Sequence, residues 1–205
     1  MKITCISDTH TFHEAVKIEP CDVLICSGDV SFRGDLHEVV PFLKWFGKQP
    51  AQSRLFVSGN HDWCFERQSG EELCYPYDIV YLENSSVEID GVNFWGSPVT
   101  PYFGGWAFNA HSVELEQTWA KIPDDTNVVI THGPPLFIND KTREGDDVGC
   151  FHLRNRIKDI RPQLHVFGHV HEGYGVYQDE FTTYVNASIC NRIYKPVNKP
   201  ITIEL

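Results

Sequence analysis

His169 and His171 stand two positions apart as an apolar run ends, in "HVFGHVHEGYG" (165–175). If the segment stays extended, side chains two apart project to one side, so both imidazoles face one small volume. Asp8 and His10 repeat that spacing in "CISDTH" (5–10). Asp29 follows a glycine in "LICSGDV" (24–30), and Asn60, His61 and Asp62 follow another in "FVSGNHD" (56–62). His132 closes "VVITH" (128–132). Each polar residue follows a strand-like run, and open α/β sheets place their sites at the carboxyl ends of strands. One such piece is weak; five in order along the chain point to a single centre. Asp, Asn and His without Cys form a mixed nitrogen and oxygen donor set, suited to Mn, Fe or Zn rather than to a structural zinc knuckle. With one carboxylate bridging, such a set could hold two cations about 3.5–4 Å apart, the arrangement that serves phosphoester cleavage.

The elements that must position these residues are strands first. Apolar or alternating runs predict strands over 2–7, 22–27, 54–58, 86–90, 92–97, 127–132, 163–168, 173–178, 182–188 and 201–205. Asp90-Gly91 between two of them signals a hairpin. Helices are expected over 36–48, 109–122 and 150–160, the first weakened by Pro41 unless that residue lies in the opening turn. Strands and helices alternate early and strands dominate late. The expectation is an α/β fold of two mixed sheets packed face to face with helices outside, as one domain over 1–205. "PPLFINDKTREGDDVG" (134–149) is the longest irregular stretch and a candidate lid.

Composition narrows the chemistry. A chain of 205 residues, 41% hydrophobic, can bury a full core. Its net charge of -11 argues against extended nucleic acid as a partner, which requires clustered Lys and Arg. Small phosphorylated molecules remain accessible if cations supply the positive charge. Seven cysteines, odd in number and without a C-x-x-C pair, predict reduced thiols. With no signal-peptide core and no membrane-spanning run, the expected setting is cytoplasmic, without a membrane partner.

The motifs D-x-H (8–10), G-D (28–29), G-N-H-D (59–62), H-G-P-P (132–135) and G-H-x-H (168–171) resemble those of the calcineurin-like metallophosphoesterase superfamily. The tail "HEGYG…YVNAS" (171–188) is similar to the metallophosphoesterase-domain-containing subgroup. The resemblance implies a four-layer αββα sandwich. It also implies two divalent metal ions, manganese foremost, with iron or zinc as alternatives. Asp8, His10, Asp29 and His171 would hold one ion and Asp29, Asn60, His132 and His169 the other, with Asp29 bridging. His61 would stabilise phosphoryl oxygens or protonate the leaving oxygen. The substrate would be a small phosphoester, nucleotides included.

Two departures stand out. Where purple acid phosphatases carry a ferric-binding tyrosine, this chain has Phe32, which cannot ligate. Where phospho-Ser/Thr phosphatases carry Asp-Arg-Gly, it has Phe32-Arg33-Gly34, so the usual carboxylate that orients the histidine is missing. Plainer roles are expected elsewhere: turn shaping for Asp62, burial for His165, solvation for Arg33 and packing for the aromatic loop "PYFGGWAFN" (101–109). That loop's alternative role is to stack a nucleobase. A diesterase leads, on the ligand set, His61 and an aromatic loop that could hold a base. A monoesterase of the same chemistry is the alternative, since the ligands do not distinguish the leaving group. A scaffold without turnover ranks below both, because neither the ligands nor His61 are lost.

Overall fold

The computed structural model describes residues Met1–Leu205. One sheet contains β1 (Lys2–Ile6), β2 (Cys21–Cys26), β3 (Ala51–Phe56), β4 (Val80–Tyr81) and β13 (Ile201–Glu204), ordered β13-β1-β2-β3-β4. A second contains β5 (Ser85–Ile89), β6 (Val92–Ser97), β9 (Val128–Thr131), β10 (Leu164–Phe167), β11 (Gly175–Gln178) and β12 (Thr183–Asn186), ordered β11-β12-β10-β9-β6-β5. Both are mixed. β1 through β4 run parallel, as do β6, β9, β10 and β12, whereas β13, β11 and β5 pair antiparallel at the edges. The parallel strands therefore end together on one side of each sheet. A short pair, β7 (Thr100–Pro101) and β8 (Asn109–Ala110), closes the base of the aromatic loop.

Alternation along the strands decides the layers. Ile3, Cys5, Val23, Ile25, Leu55, Val57, Phe94, Val128, Ile130, Leu164, Val166 and Val185 face inward between the sheets and are fully buried. Their neighbours Leu24, Cys26 and Phe56 face outward against Val39, Phe42, Leu43 and Phe46 of α1 (Leu36–Phe46). Two short helices, α2 (Trp63–Arg67) and α3 (Gly70–Cys74), flank the same side. On the far side Trp95, Val129 and Phe167 pack under Leu115 and Trp119 of α4 (Ser112–Trp119) and under Leu153 and Ile157 of α5 (Phe151–Ile160). Helices, two sheets and helices make the expected four layers.

The differences from expectation are local. Pro41 is the sixth residue of α1, beyond its opening turn. The carbonyl of His37 loses its helical donor there, and both residues are exposed, so water can serve it. The helix expected from 109 begins at Ser112, because Asn109 and Ala110 form β8 instead. Neither α2 nor α3 was predicted; five residues are too few to show a helical period. Asp90 and Gly91 take left-handed backbones (φ 51° and 79°) and join β5 to β6 as a tight hairpin. All seven cysteines are free and buried, and no helix is long and apolar enough to cross a membrane.

Candidate metal centre

Five loops at the carboxyl ends of the parallel strands bring the predicted residues together. Asp8 and His10 follow β1, Asp29 follows β2, Asn60 and His61 follow β3, His132 follows β9, and His169 and His171 follow β10. The sheets are tied at this end where Ser7 pairs with Ser188; Ile189 N–H donates to the Ser7 carbonyl at 2.8 Å. Two groups of donor atoms result. Asp8, His10 and His171 form one, and Asp29, His132 and His169 the other, with the donor atoms of each lying within 4.8 Å of one another. Asp29 Oδ2 stands between them, 3.4 Å from His132 Nε2 and 3.9 Å from His10 Nε2. Asn60 Oδ1 joins the second group, 2.9 Å from His132 Nε2.

The loops approach so closely that side chains had to be removed from some positions. A Cβ on Gly28 would lie 2.6 Å from Gly59 N and 2.7 Å from His132 Nδ1, and φ there is +105°. A Cβ on Gly168 would lie 2.0 Å from Asp8 Oδ2. These contacts give a steric reason for the glycine in G-D and in G-H-x-H. Asp8, His10, Asp29 and His169 also take left-handed backbones (φ 50°, 39°, 53° and 68°). Such conformations cost energy in non-glycine residues and cluster at functional sites. They correct the extended reading of His169 and His171. The strand stops at Phe167, His169 is left-handed, and His171 opens a 3-10 turn. The two imidazoles reach neighbouring groups through this reversal of the chain, not through strand alternation.

Second contacts set the ring tautomers. Nδ1 of His10, His132 and His171 lies 3.0, 2.9 and 2.9 Å from the carbonyls of Ser31, Ser27 and Asn191. A carbonyl only accepts, so each Nδ1 carries a hydrogen, and in the neutral ring each Nε2 presents its lone pair inward. The result is lone pair facing lone pair: His10 Nε2 against His171 Nε2 at 3.3 Å, and His132 Nε2 against Asn60 Oδ1 at 2.9 Å. Such a pairing is favourable only with a cation between the atoms, either a proton or a metal. Backbone carbonyls behind ligating imidazoles are the usual outer support of a metal site, and the residues fit a pair of divalent ions.

The titration behaviour agrees. Burial acts to lower His132 and His171, but Asp29 and Asp8 beside them outweigh it and raise each to about 9. Burial acts to raise Asp8 and Asp29, but His171 and His132 respectively hold these carboxyls below the ordinary range. His10 and His169, whose positive neighbours offset part of the carboxylates' attraction, are pushed by burial down to about 4. A proton thus occupies part of what the donor set offers a metal.

Asp62 is a tie between loops. Its carboxylate accepts from the N–H groups of Val30, Ser31 and Gly59 at 3.1, 3.1 and 2.9 Å, and from the Ser31 hydroxyl at 2.7 Å. Burial and the charge of Asp29 push it up to about 6, but every contact is a donor, which holds the charged form at neutral pH. His61 lies just outside the two groups, with Nε2 4.0 Å from Asp29 Oδ2. Its Nδ1 sits 2.7 Å from the carbonyl oxygen of Phe32. The carboxylate absent from position 32 is thereby replaced by that residue's own backbone. Trp106 packs against the His61 ring, with centroids 4.3 Å apart and the planes tilted by 32°.

Asp29, Asn60, His61, His169 and His171 line a cleft of about 330 Å³, with Phe103, Trp106, Glu172, Arg192 and Tyr194. Trp106 and Phe103 come from the aromatic loop, whose packing reading therefore holds for only part of it. Arg192 and Tyr194 carried no signal in the sequence, because they belong to an irregular turn after β12 with no motif spacing. That turn is held by Asn191, whose side chain accepts from Ile193 and Lys195 N–H while its carbonyl orients His171. Arg33 is exposed, and His165 is buried with Nε2 2.8 Å from Thr131 Oγ1.

Similarity to known proteins agrees with this geometry. Residues 1–173 match the family described as calcineurin-like phosphoesterase. Metallophosphoesterase domain-containing protein 1 of Homo sapiens and of Mus musculus are each 37% identical over 230 residues, covering 100% of this chain and 71% of the relative. A phosphopantetheinyl hydrolase from Mycobacterium tuberculosis shares the fold with a TM-score of 0.63 at 14% identity, covering 98% of this chain and 95% of that one. With two donor triads at the carboxyl ends of its paired sheets, the chain belongs to the calcineurin-like phosphoesterase family and matches its metallophosphoesterase-domain-containing subgroup.

Proposed function

We propose that this protein is a phosphodiesterase acting on small phosphoesters, nucleotides among them, through a centre of two divalent cations, with manganese the foremost candidate and iron or zinc compatible with the donor set. Asp8, His10, Asp29 and His171 would hold one cation; Asp29, Asn60, His132 and His169 would hold the other. The observation that carries this reading is the position of Asp29 Oδ2 between the two donor groups, within 4 Å of an imidazole from each. Bound there, the cations supply Lewis acidity toward phosphoryl oxygens and a nucleophilic water at neutral pH.

The chain's own residues account for the remainder. His61 is locked by the Phe32 carbonyl so that Nε2 faces the reacting space, where it can hold a proton for the leaving oxygen. Trp106 restricts the ring and excludes water from one face. Arg192 brings to the cleft a positive charge that does not depend on the protonation of its histidines, suited to an anionic ester.

Hydrolysis of bis-p-nitrophenyl phosphate and of p-nitrophenyl phosphate by manganese-loaded protein tests the reading. The expected result is turnover of the diester that chelation abolishes and manganese restores. Absence of turnover with manganese, iron and zinc alike would overturn it, and a preference for the monoester would overturn the diesterase assignment.

A further inference from the structure

A second cavity, of about 490 Å³, opens beside the metal cleft and shares Phe103, His169 and Glu172 with it. Its other walls are Pro101 and Tyr102 from the aromatic loop, Thr142 and Val148 from the loop over 134–149, and Val170. Val170 is the residue between the two histidines of the H-x-H motif. It is buried, and lines this cavity while its neighbours face the donor groups. The outer wall is a built loop. Asp140 Oδ2 accepts from Phe137 and Gly149 N–H at 2.8 and 2.9 Å, Lys141 pairs with Asp147 at 2.9 Å, and Pro135 and Cys150 bridge its base.

The lining is selective. Two rings, two valines and a proline present apolar surface, and Tyr102, Phe103 and Val148 keep 56%, 38% and 41% of their own exposed. Apart from His169, Glu172 is the only ionisable carboxyl or amine among the lining residues, and it stands where the cavity meets the cleft. An apolar void of about 150 Å³ already accepts a benzene ring, so this one has room for a larger group. A substrate phosphorus held at the donor groups has this cavity directly alongside.

We infer that the cavity bounded by Tyr102, Phe103, Val148, Val170 and Glu172 seats one ester arm of a phosphodiester, and that this arm is apolar or aromatic and carries no further phosphate. Apolar walls favour burial of such an arm, and Glu172 at the entrance repels an additional anion. The inference rests on the proposed diesterase reading and deepens it by naming the substrate class. Esters of aromatic or apolar alcohols are favoured over methyl esters, and arms bearing a phosphate are rejected.

The test combines binding with turnover. Calorimetry on manganese-loaded protein compares diphenyl phosphate with dimethyl phosphate, while phenyl, methyl and 2-phosphoethyl p-nitrophenyl phosphodiesters are compared as substrates. Diphenyl phosphate should bind at least tenfold tighter, and the phenyl ester should exceed the methyl ester at least tenfold in kcat/KM. Val148→Glu should cut both ratios by a factor of ten or more, and Glu172→Gln should raise kcat/KM for the phosphorylated arm. Circular dichroism and metal content confirm that each variant is folded and loaded. Turnover with ratios near one, or unchanged by Val148→Glu, would overturn the arm site while leaving the diesterase reading intact. Tight, Val148-dependent binding of diphenyl phosphate without any turnover would support the arm site and overturn the diesterase reading. Neither binding preference nor turnover would overturn both.

Discussion

His61 is oriented by the backbone of Phe32: its Nδ1 lies 2.7 Å from that residue's carbonyl oxygen. No side chain at position 32 takes part, so the loss of a carboxylate there does not release the imidazole. Nε2 faces the donor groups at 4.0 Å from Asp29 Oδ2, near the centre without completing either triad. His61→Ala should therefore retain both metals and lose about 10²–10⁴ in rate. Metal analysis together with kinetics checks it. A smaller loss for p-nitrophenyl than for alkyl esters identifies proton donation, equal losses identify charge stabilisation, and unchanged rates would remove His61 from the chemistry.

Asp29 faces both donor groups, and its other oxygen accepts the His61 N–H at 2.8 Å. Asp29→Asn keeps that bond geometry available but removes the negative charge needed to hold two cations close together. Metal content after purification should fall for both ions, well beyond the loss in a single peripheral variant. Two tightly held ions per chain in Asp29→Asn would contradict the bridging role.

His169 and His171 belong to different donor groups although one residue separates them. The left-handed backbone at His169 and the 3-10 turn at His171 aim them apart. His169→Gly should weaken the ion held with Asp29 and His132, and His171→Gly the ion held with Asp8 and His10. Metal titration of each variant by calorimetry separates the cases. Loss of the same ion from both variants would be incompatible with the split.

Protons would compete with metal ions for the two donor groups. His132 and His171 are raised to about 9 from an ordinary 6.5, so in metal-free protein they are charged at neutral pH. Their stabilisation is complete below about 6.5 and is lost as pH rises through about 9. His10 and His169, lowered to about 4, act oppositely: their neutral folded forms favour folding above 6.5, and that contribution is lost as pH falls toward 4. Metal-free protein should therefore melt highest near pH 6.5 and less on either side. Metal binding must expel the protons on His132 and His171, so affinity should increase with pH up to about 9. Thermal melts across pH, and calorimetry in buffers of different ionisation enthalpy, measure these effects. A metal affinity independent of pH from 6 to 9 would contradict the protonated state of these two histidines.

Much of the centre is legible in the sequence, and the reason is topological. Parallel strands share a direction, so polar residues that follow apolar runs fall on one side of a sheet, and Asp8, Asp29, Asn60, His132 and His169 follow from that rule. The layers follow as well, because Ile3, Cys5, Val23 and Ile25 alternate with Leu24 and Cys26 at the strand period, and each set can face only one layer. What alternation does not encode is the backbone past the strand ends. The left-handed turns at Asp8, His10, Asp29 and His169 depend on loops from two sheets closing on one another at glycines 28 and 168. The carbonyl of Phe32 behind His61, the packing of Trp106 against its ring and the arrival of Arg192 join residues 29, 45 and 131 positions from His61 in the chain. Spacing reports on residues within one element, and these partners meet only when separate elements pack. The donor set was therefore written in local sequence, whereas the tautomers, the supports and the shape of the cleft came from tertiary structure.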